Sequence, residues 1–219
     1  MIVEAGLILS RFLNYAALLT LFGVSLFPLY AYPARAGKSP ARVDRWRQTT
    51  ILAAAFNAPL SWLSWLVFVV AGMTGSLSGV ADGDALWSVL YETGFGNVWM
   101  ARFAVMAILL SLLAFRAVLP GRLLDRVSLA LSAALLASLA AVGHTQMDDG
   151  TARIIHVSTD GLHLLGAGAW LGGLLCLFHL MSKAARTASA DLDYQRSTRK
   201  EYSPCTRWVS SDTTCQLTV

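Results

Sequence analysis

Apolar residues fill five long runs in this chain, and polar or charged residues crowd the stretches between them. The runs cover about Leu7–Tyr30, Ile51–Thr74, Val98–Phe115, Leu124–Val142 and Leu162–Met181. Each is close to the roughly 20 residues a helix needs to cross a hydrocarbon core. Several are apolar on every face, as membrane helices are and surface helices of soluble proteins are not. The pattern predicts an all-α, polytopic helical membrane bundle of about five transmembrane helices. The first run carries Glu4 in place of a basic leader and has no small-residue cleavage site after it, so it is read as a retained span and not a signal peptide.

Composition supports this class. Hydrophobic residues make up 56% of the chain and charged residues 14%, well under the roughly 25% charged content of soluble domains. The net charge of +4 does not mark a nucleic-acid binder, because the charges are sorted by loop. Arg35, Lys38, Arg42, Arg45 and Arg47 lie between the first two runs, and Arg116, Arg122 and Arg126 between the third and fourth. Lys183, Arg186, Arg196, Arg199, Lys200 and Arg207 follow the fifth. The alternate loops, near residues 75–97 and 143–157, hold Asp82, Asp84, Glu92, Asp148 and Asp149, with Arg153 their one basic residue. By the positive-inside rule this predicts the N-terminus outside, the C-terminus inside on the cytoplasmic face, and both acidic loops outside, the outside being the periplasm if the membrane is a bacterial inner membrane. Anionic lipid headgroups suffice as partners for the basic clusters.

Residues 1–185 read as the membrane domain. Residues 186–219 lose the apolar pattern and read as a polar, disordered cytoplasmic tail. Cys205 and Cys215 lie in the tail and Cys176 in the last run; none forms a CxxC pair, and a cytoplasmic face keeps the tail thiols reduced. Pro59 removes one backbone hydrogen bond from the second run and frees a carbonyl that a neighbour must satisfy. Gly168 and Gly172, with Ala169 and Gly173 one position over, form small-residue ridges suited to close helix packing in lipid.

Candidate chemistry gathers at one membrane face. His144 and Met147 end the fourth run. His156, Asp160 and His163 open the fifth, within roughly 60° of one another on a helix. Imidazole suits copper and zinc, and a thioether favours cuprous copper. Asp160 either ligates or orients an imidazole. His156 and His163 stand about 10 Å apart along a helix, so the better arrangement shares one ion between one of them and His144. The competing reading is a polar cluster that only fixes two helices to each other. His179 falls near the opposite end of its run and reads as an interfacial polar residue. Arg102 lies just inside the third run, where it either snorkels to headgroups or pairs with Asp160 and supports the site. No nucleophile elbow, HExxH motif or phosphate loop is present, so no enzyme is expected.

Three stretches together carry a resemblance: Thr93-Gly94-Phe95-Gly96-x-x-Trp99-x-x-Arg102, then Gly143-His144-Thr145, then His156-x3-Asp160-x2-His163 running into Leu164-Leu165-Gly166-Ala167-Gly168-Ala169-Trp170-x-Gly172-Gly173. Over roughly residues 5–185 the chain resembles the bacterial copper resistance protein D family of inner-membrane proteins. The resemblance implies copper as the metal, copper transport and resistance as the role, and a periplasmic copper-binding partner of the copper resistance protein C type. It makes His144, His156, Asp160 and His163 candidate copper ligands. Family members usually continue with further spans, whereas residues from about Leu192 depart from the family pattern, so a C-terminally truncated member is expected. Two other functions compete: a redox protein holding b-type haem between His144 and His163, and a non-catalytic membrane scaffold.

Overall fold

Gly75 ends the second long helix with a left-handed turn (φ 76°), and its position separates the long helices of the chain from a short excursion at one end of the bundle. The computed structural model describes residues 2–31, 41–115, 121–142 and 150–201. The helices, in chain order, are α1 (Ile2–Ala31), α2 (Ala41–Thr74), α3 (Gly83–Tyr91), α4 (Gly94–Ala114), α5 (Gly121–Ala137) and α6 (Gly150–Glu201). One-turn 3-10 segments cover Leu77–Ala81 and Ser138–Val142. No strand occurs among the described residues. Five helical stretches are long and apolar enough to cross a membrane: Ile2–Ala31, Arg45–Thr74, Gly96–Ala114, Leu123–Val142 and Gly150–Leu192. The all-α membrane bundle expected from the hydrophobic runs is the fold observed.

The five long helices begin before the apolar runs that announced them, and α1 and α6 also extend past the ends of theirs. α2 starts at Ala41, ten residues before Ile51; Arg45 and Thr49 are exposed there, and the Thr49 hydroxyl donates to the Arg45 carbonyl (2.9 Å) within the helix. The excursion 75–93 is not the plain loop its composition suggested. Ser76 Oγ accepts from the Gly79 amide (3.3 Å) and starts the 3-10 turn. The Asp82 carboxylate accepts from the Asp84 amide (3.0 Å) and caps the nine-residue α3.

The chain divides into two units, Met1–Phe178 and His179–Val219. In the first, Leu18, Leu21 and Val24 of α1, Ala55, Ala58 and Val70 of α2, Leu109 of α4, and Leu135 and Leu136 of α5 are almost fully buried. Large apolar side chains also cover its outside: Phe12, Phe56, Phe103 and Ile108 are exposed. That is the surface a lipid-facing bundle requires and a water-facing one avoids. In the second unit the helix continues to Glu201, so residues 186–201 of the segment read as a disordered tail carry helical backbone. Ala184, Ala185, Ala188, Ala190 and Leu192 are strong helix formers, and neither Gly nor Pro interrupts the stretch. Residues 202–219, with Cys205 and Cys215, lie outside the described residues.

α6 meets α1 along glycine. A Cβ on Gly23 would overlap the Gly168 carbonyl and the Gly172 backbone, and a Cβ on Gly172 would overlap Gly23. Gly168 faces Phe22 and Leu136, and the Tyr30 hydroxyl donates to the Ala169 carbonyl (3.5 Å). The ridge of small residues is therefore the packing face of α6, and the backbones approach as closely as glycine permits.

Candidate functional site

Packing of that glycine face decides where the candidate ligands point. Gly161, Gly168, Gly172 and Cys176 are buried and share one side of α6. His156, Asp160 and His163 lie roughly 150° around the helix from them, and all three are exposed. The trio thus shares a stripe, as the spacing predicts, and the stripe faces away from α1 and α5. His144 and Met147 fall within 143–149, outside the described residues, so the pairing of His144 with His163 that either a copper or a haem site needs is not placed. Among the described residues, no group of three or more His, Cys, Asp or Glu side chains is close enough to hold a metal ion. His179 belongs to the second unit and is half-buried.

Arg102 is placed differently from both expectations. It neither snorkels to the surface nor pairs with Asp160: it is 4% exposed and lies in the core between α1, α2 and α4. The local sequence explains how. Thr93 caps α4, its Oγ1 accepting from the Gly96 amide (3.0 Å) and donating to the Val89 carbonyl (2.6 Å). A Cβ on Gly96 would overlap the Leu90 carbonyl, so glycine there lets α4 fold back tightly on α3. Trp99 and Arg102, three residues apart, then share the inward face. Trp99 stacks on Trp62 of α2 (centroids 3.9 Å apart), and the Arg102 guanidinium lies 5.5 Å from the Trp62 ring.

Arg102 Nη2 donates to Asn14 Oδ1 (3.1 Å). Asn14 Nδ2 in turn donates to the Ala58 carbonyl (3.0 Å), one residue before Pro59, and toward Ser61 Oγ (3.3 Å). Ser61 Oγ turns back to the Asn57 and Ala58 carbonyls (2.9 and 3.0 Å). Arg102 Nε and Nη1 are buried with no hydrogen-bond partner among the described residues, and so is Trp99 Nε1. A guanidinium held this way keeps one charged hydrogen bond and one aromatic face in exchange for most of its hydration. Sequence reasoning passed over Asn14 and Ser61. The available signal was an amide in the middle of an apolar run, since polar groups at that depth are costly unless they have partners.

These features recur in known proteins. Residues 1–154 match the family model described as copper resistance protein D-like, N-terminal domain. Copper resistance protein D of Pseudomonas syringae pv. tomato is 34% identical over 171 residues, covering 78% of this chain and 54% of that protein. Inner membrane protein YebZ of Escherichia coli (strain K12) is 26% identical over 169 residues, covering 75% of this chain and 54% of YebZ. Copper transport protein CutJ of Bacillus subtilis (strain 168) is 26% identical over 206 residues, covering 92% of this chain and 37% of CutJ. The chain thus spans about half the length, or less, of these relatives. No solved structure matches it. With the model covering well over half of its residues, the chain belongs to the copper resistance protein D-like family.

Proposed function

We propose that this chain is a copper-handling protein of the bacterial inner membrane, which binds copper at the periplasmic face and takes part in copper transport and resistance. Membership of a family whose relatives are named for copper resistance and copper transport supports the metal, and the name of YebZ supports the membrane. The observation that carries the site is the exposed stripe of His156, Asp160 and His163 at the start of α6. Copper is the cargo. An imidazole nitrogen of His163 or His156 supplies one bond and His144 a second. Asp160, one helical turn from each histidine, either completes the set or accepts a hydrogen bond from the far nitrogen of a ligating ring. Met147 offers a soft donor for the cuprous ion. Because the stripe lies near the start of the fifth span, at the edge of the apolar layer, a soluble periplasmic copper carrier of the copper resistance protein C type can reach it, and no covalent chemistry is required. The acidic loops mark this face as periplasmic through the distribution of lysine and arginine.

Metal analysis of the detergent-purified protein tests the reading. His163→Ala should lower copper occupancy strongly, Asp160→Asn by an intermediate amount of about 10–100-fold in affinity if it orients a ligand, and His179→Ala little. Equal copper in the wild type, the His163 variant and the Asp160 variant would leave a helix-locking polar cluster as the better account. A haem absorption band in the purified protein would replace copper by haem between His144 and His163.

A further inference from the structure

The basic end of the first unit carries a cavity that copper handling does not use. It measures about 70 Å³, enough for a phosphate group, and is partly open. Three helices line it, with Pro28 and Leu29 from α1, Arg47 from α2, and Asp125, Arg126 and Leu129 from α5. Pro28 lies three residues before the end of α1, Arg47 six residues into α2 and Arg126 five into α5. All three are therefore within about 10 Å of the same helix ends at the standard rise. In a bilayer this is the level at which the hydrocarbon gives way to glycerol and phosphate.

The lining has a matching division of chemistry. Two guanidiniums and one carboxylate line it, a donor-rich set that suits a single phosphodiester. A guanidinium presents a planar fork of donors that fits phosphate oxygens two at a time. Asp125 disfavours a second anion but accepts a hydrogen bond from a hydroxyl. Leu29 and Leu129 offer apolar contact to whatever is attached to the phosphate. Arg45, exposed on the same helix as Arg47, does not line the cavity, so the site is more specific than the general basic character of this end. We infer that the cavity is a binding site for an anionic phospholipid. Its phosphate sits between Arg47 and Arg126, its headgroup hydroxyl reaches Asp125, and its glycerol and acyl carbons lie on Leu29 and Leu129.

The full chain, reconstituted in equimolar phosphatidylglycerol and phosphatidylcholine and then extracted gently, should retain the phosphatidylglycerol selectively when its bound lipid is counted by native mass spectrometry. A charged hydrogen-bonded contact is worth enough for an enrichment of about tenfold. Arg47→Gln with Arg126→Gln should bring the ratio to parity, and Arg45→Gln should leave it as in the wild type. Arg47→Lys with Arg126→Lys keeps the charge without the fork and should retain part of the enrichment, which holds the test open if the glutamine pair does not fold. Wild-type parity, undiminished enrichment in the glutamine pair, or displacement of the lipid by millimolar inorganic phosphate would each overturn the assignment, the last by making it a free-phosphate site.

Discussion

Removing Asn14 should harm the protein more than removing the arginine it holds. Asn14→Leu deletes the acceptor of the Arg102 bond and the donor to the Ala58 carbonyl, both at a position that is 1% exposed. A hydrogen bond to a charged group contributes about 1.5–3 kcal/mol and a neutral one about 1 kcal/mol. The loss is larger than this mean suggests, because it strands a guanidinium that already has two unpartnered nitrogens. A total of about 3–5 kcal/mol follows. Arg102→Met loses the same bond but removes the buried charge, and should cost only about 0–2 kcal/mol, since apolar replacements of buried ionic groups are often neutral or better. The double variant should then be more stable than the sum of the single losses by about 1.5–3 kcal/mol, because methionine leaves no stranded donor. Denaturant titration in mild detergent reads this directly, with the stacked Trp62 and Trp99 as fluorescent reporters beside the network. Single losses that add within about 0.5 kcal/mol, or an Arg102→Met variant as damaged as Asn14→Leu, would show that the Asn14 bond does not hold the arginine in place.

Gly23→Leu should lower the thermal stability of the detergent-solubilised protein by the equivalent of about 1–3 kcal/mol, because its Cβ alone overlaps the Gly168 carbonyl, whereas Gly166→Ala, with nothing within 4 Å of the added carbon, should leave it nearly unchanged; similar melting for both would refute the close α1–α6 approach. Cysteines introduced at Gly83 and Thr151 should react with membrane-impermeant reagents from the periplasmic side and one at Ser39 should not; the reverse labelling pattern would turn the bundle over and carry His156, Asp160 and His163 to the cytoplasm.

Much of the fold was legible because membrane helices announce themselves by length and apolarity. What the runs did not give was the starts of the helices, since helical backbone extends through polar residues such as Arg45 and Thr49. They also hid α3, whose nine residues are too few for a periodic signal and whose start depends on the Asp82 cap. The stripe of His156, Asp160 and His163 could be read from spacing alone. The direction it faces was settled only by packing: the glycine ridge could be read as a packing face, but which helix it meets, α1 through Gly23, is visible only in the structure. Arg102 was misread for a different reason. Its partner Asn14 lies 88 positions away, so only the packing of α1 against α2 and α4 brings the acceptor to it, and Asp160 was the nearer guess only in charge.

The dry guanidinium of Arg102 also sets an electrostatic barrier inside the bundle. With no carboxylate among its described partners and only 4% of its surface exposed, its field is poorly neutralised along the interior of α1, α2 and α4. A monovalent cation passing about 7 Å away at an effective dielectric constant of about 20 would be opposed by about 2.4 kcal/mol, which lowers its local population roughly 50-fold. A divalent ion would meet twice that energy. Comparing cation leak into vesicles for the wild type and Arg102→Met would measure the barrier. For any cation near this bundle, the middle of these three helices is the high-energy region, and the surfaces that Arg102 does not face are the lower-energy ones.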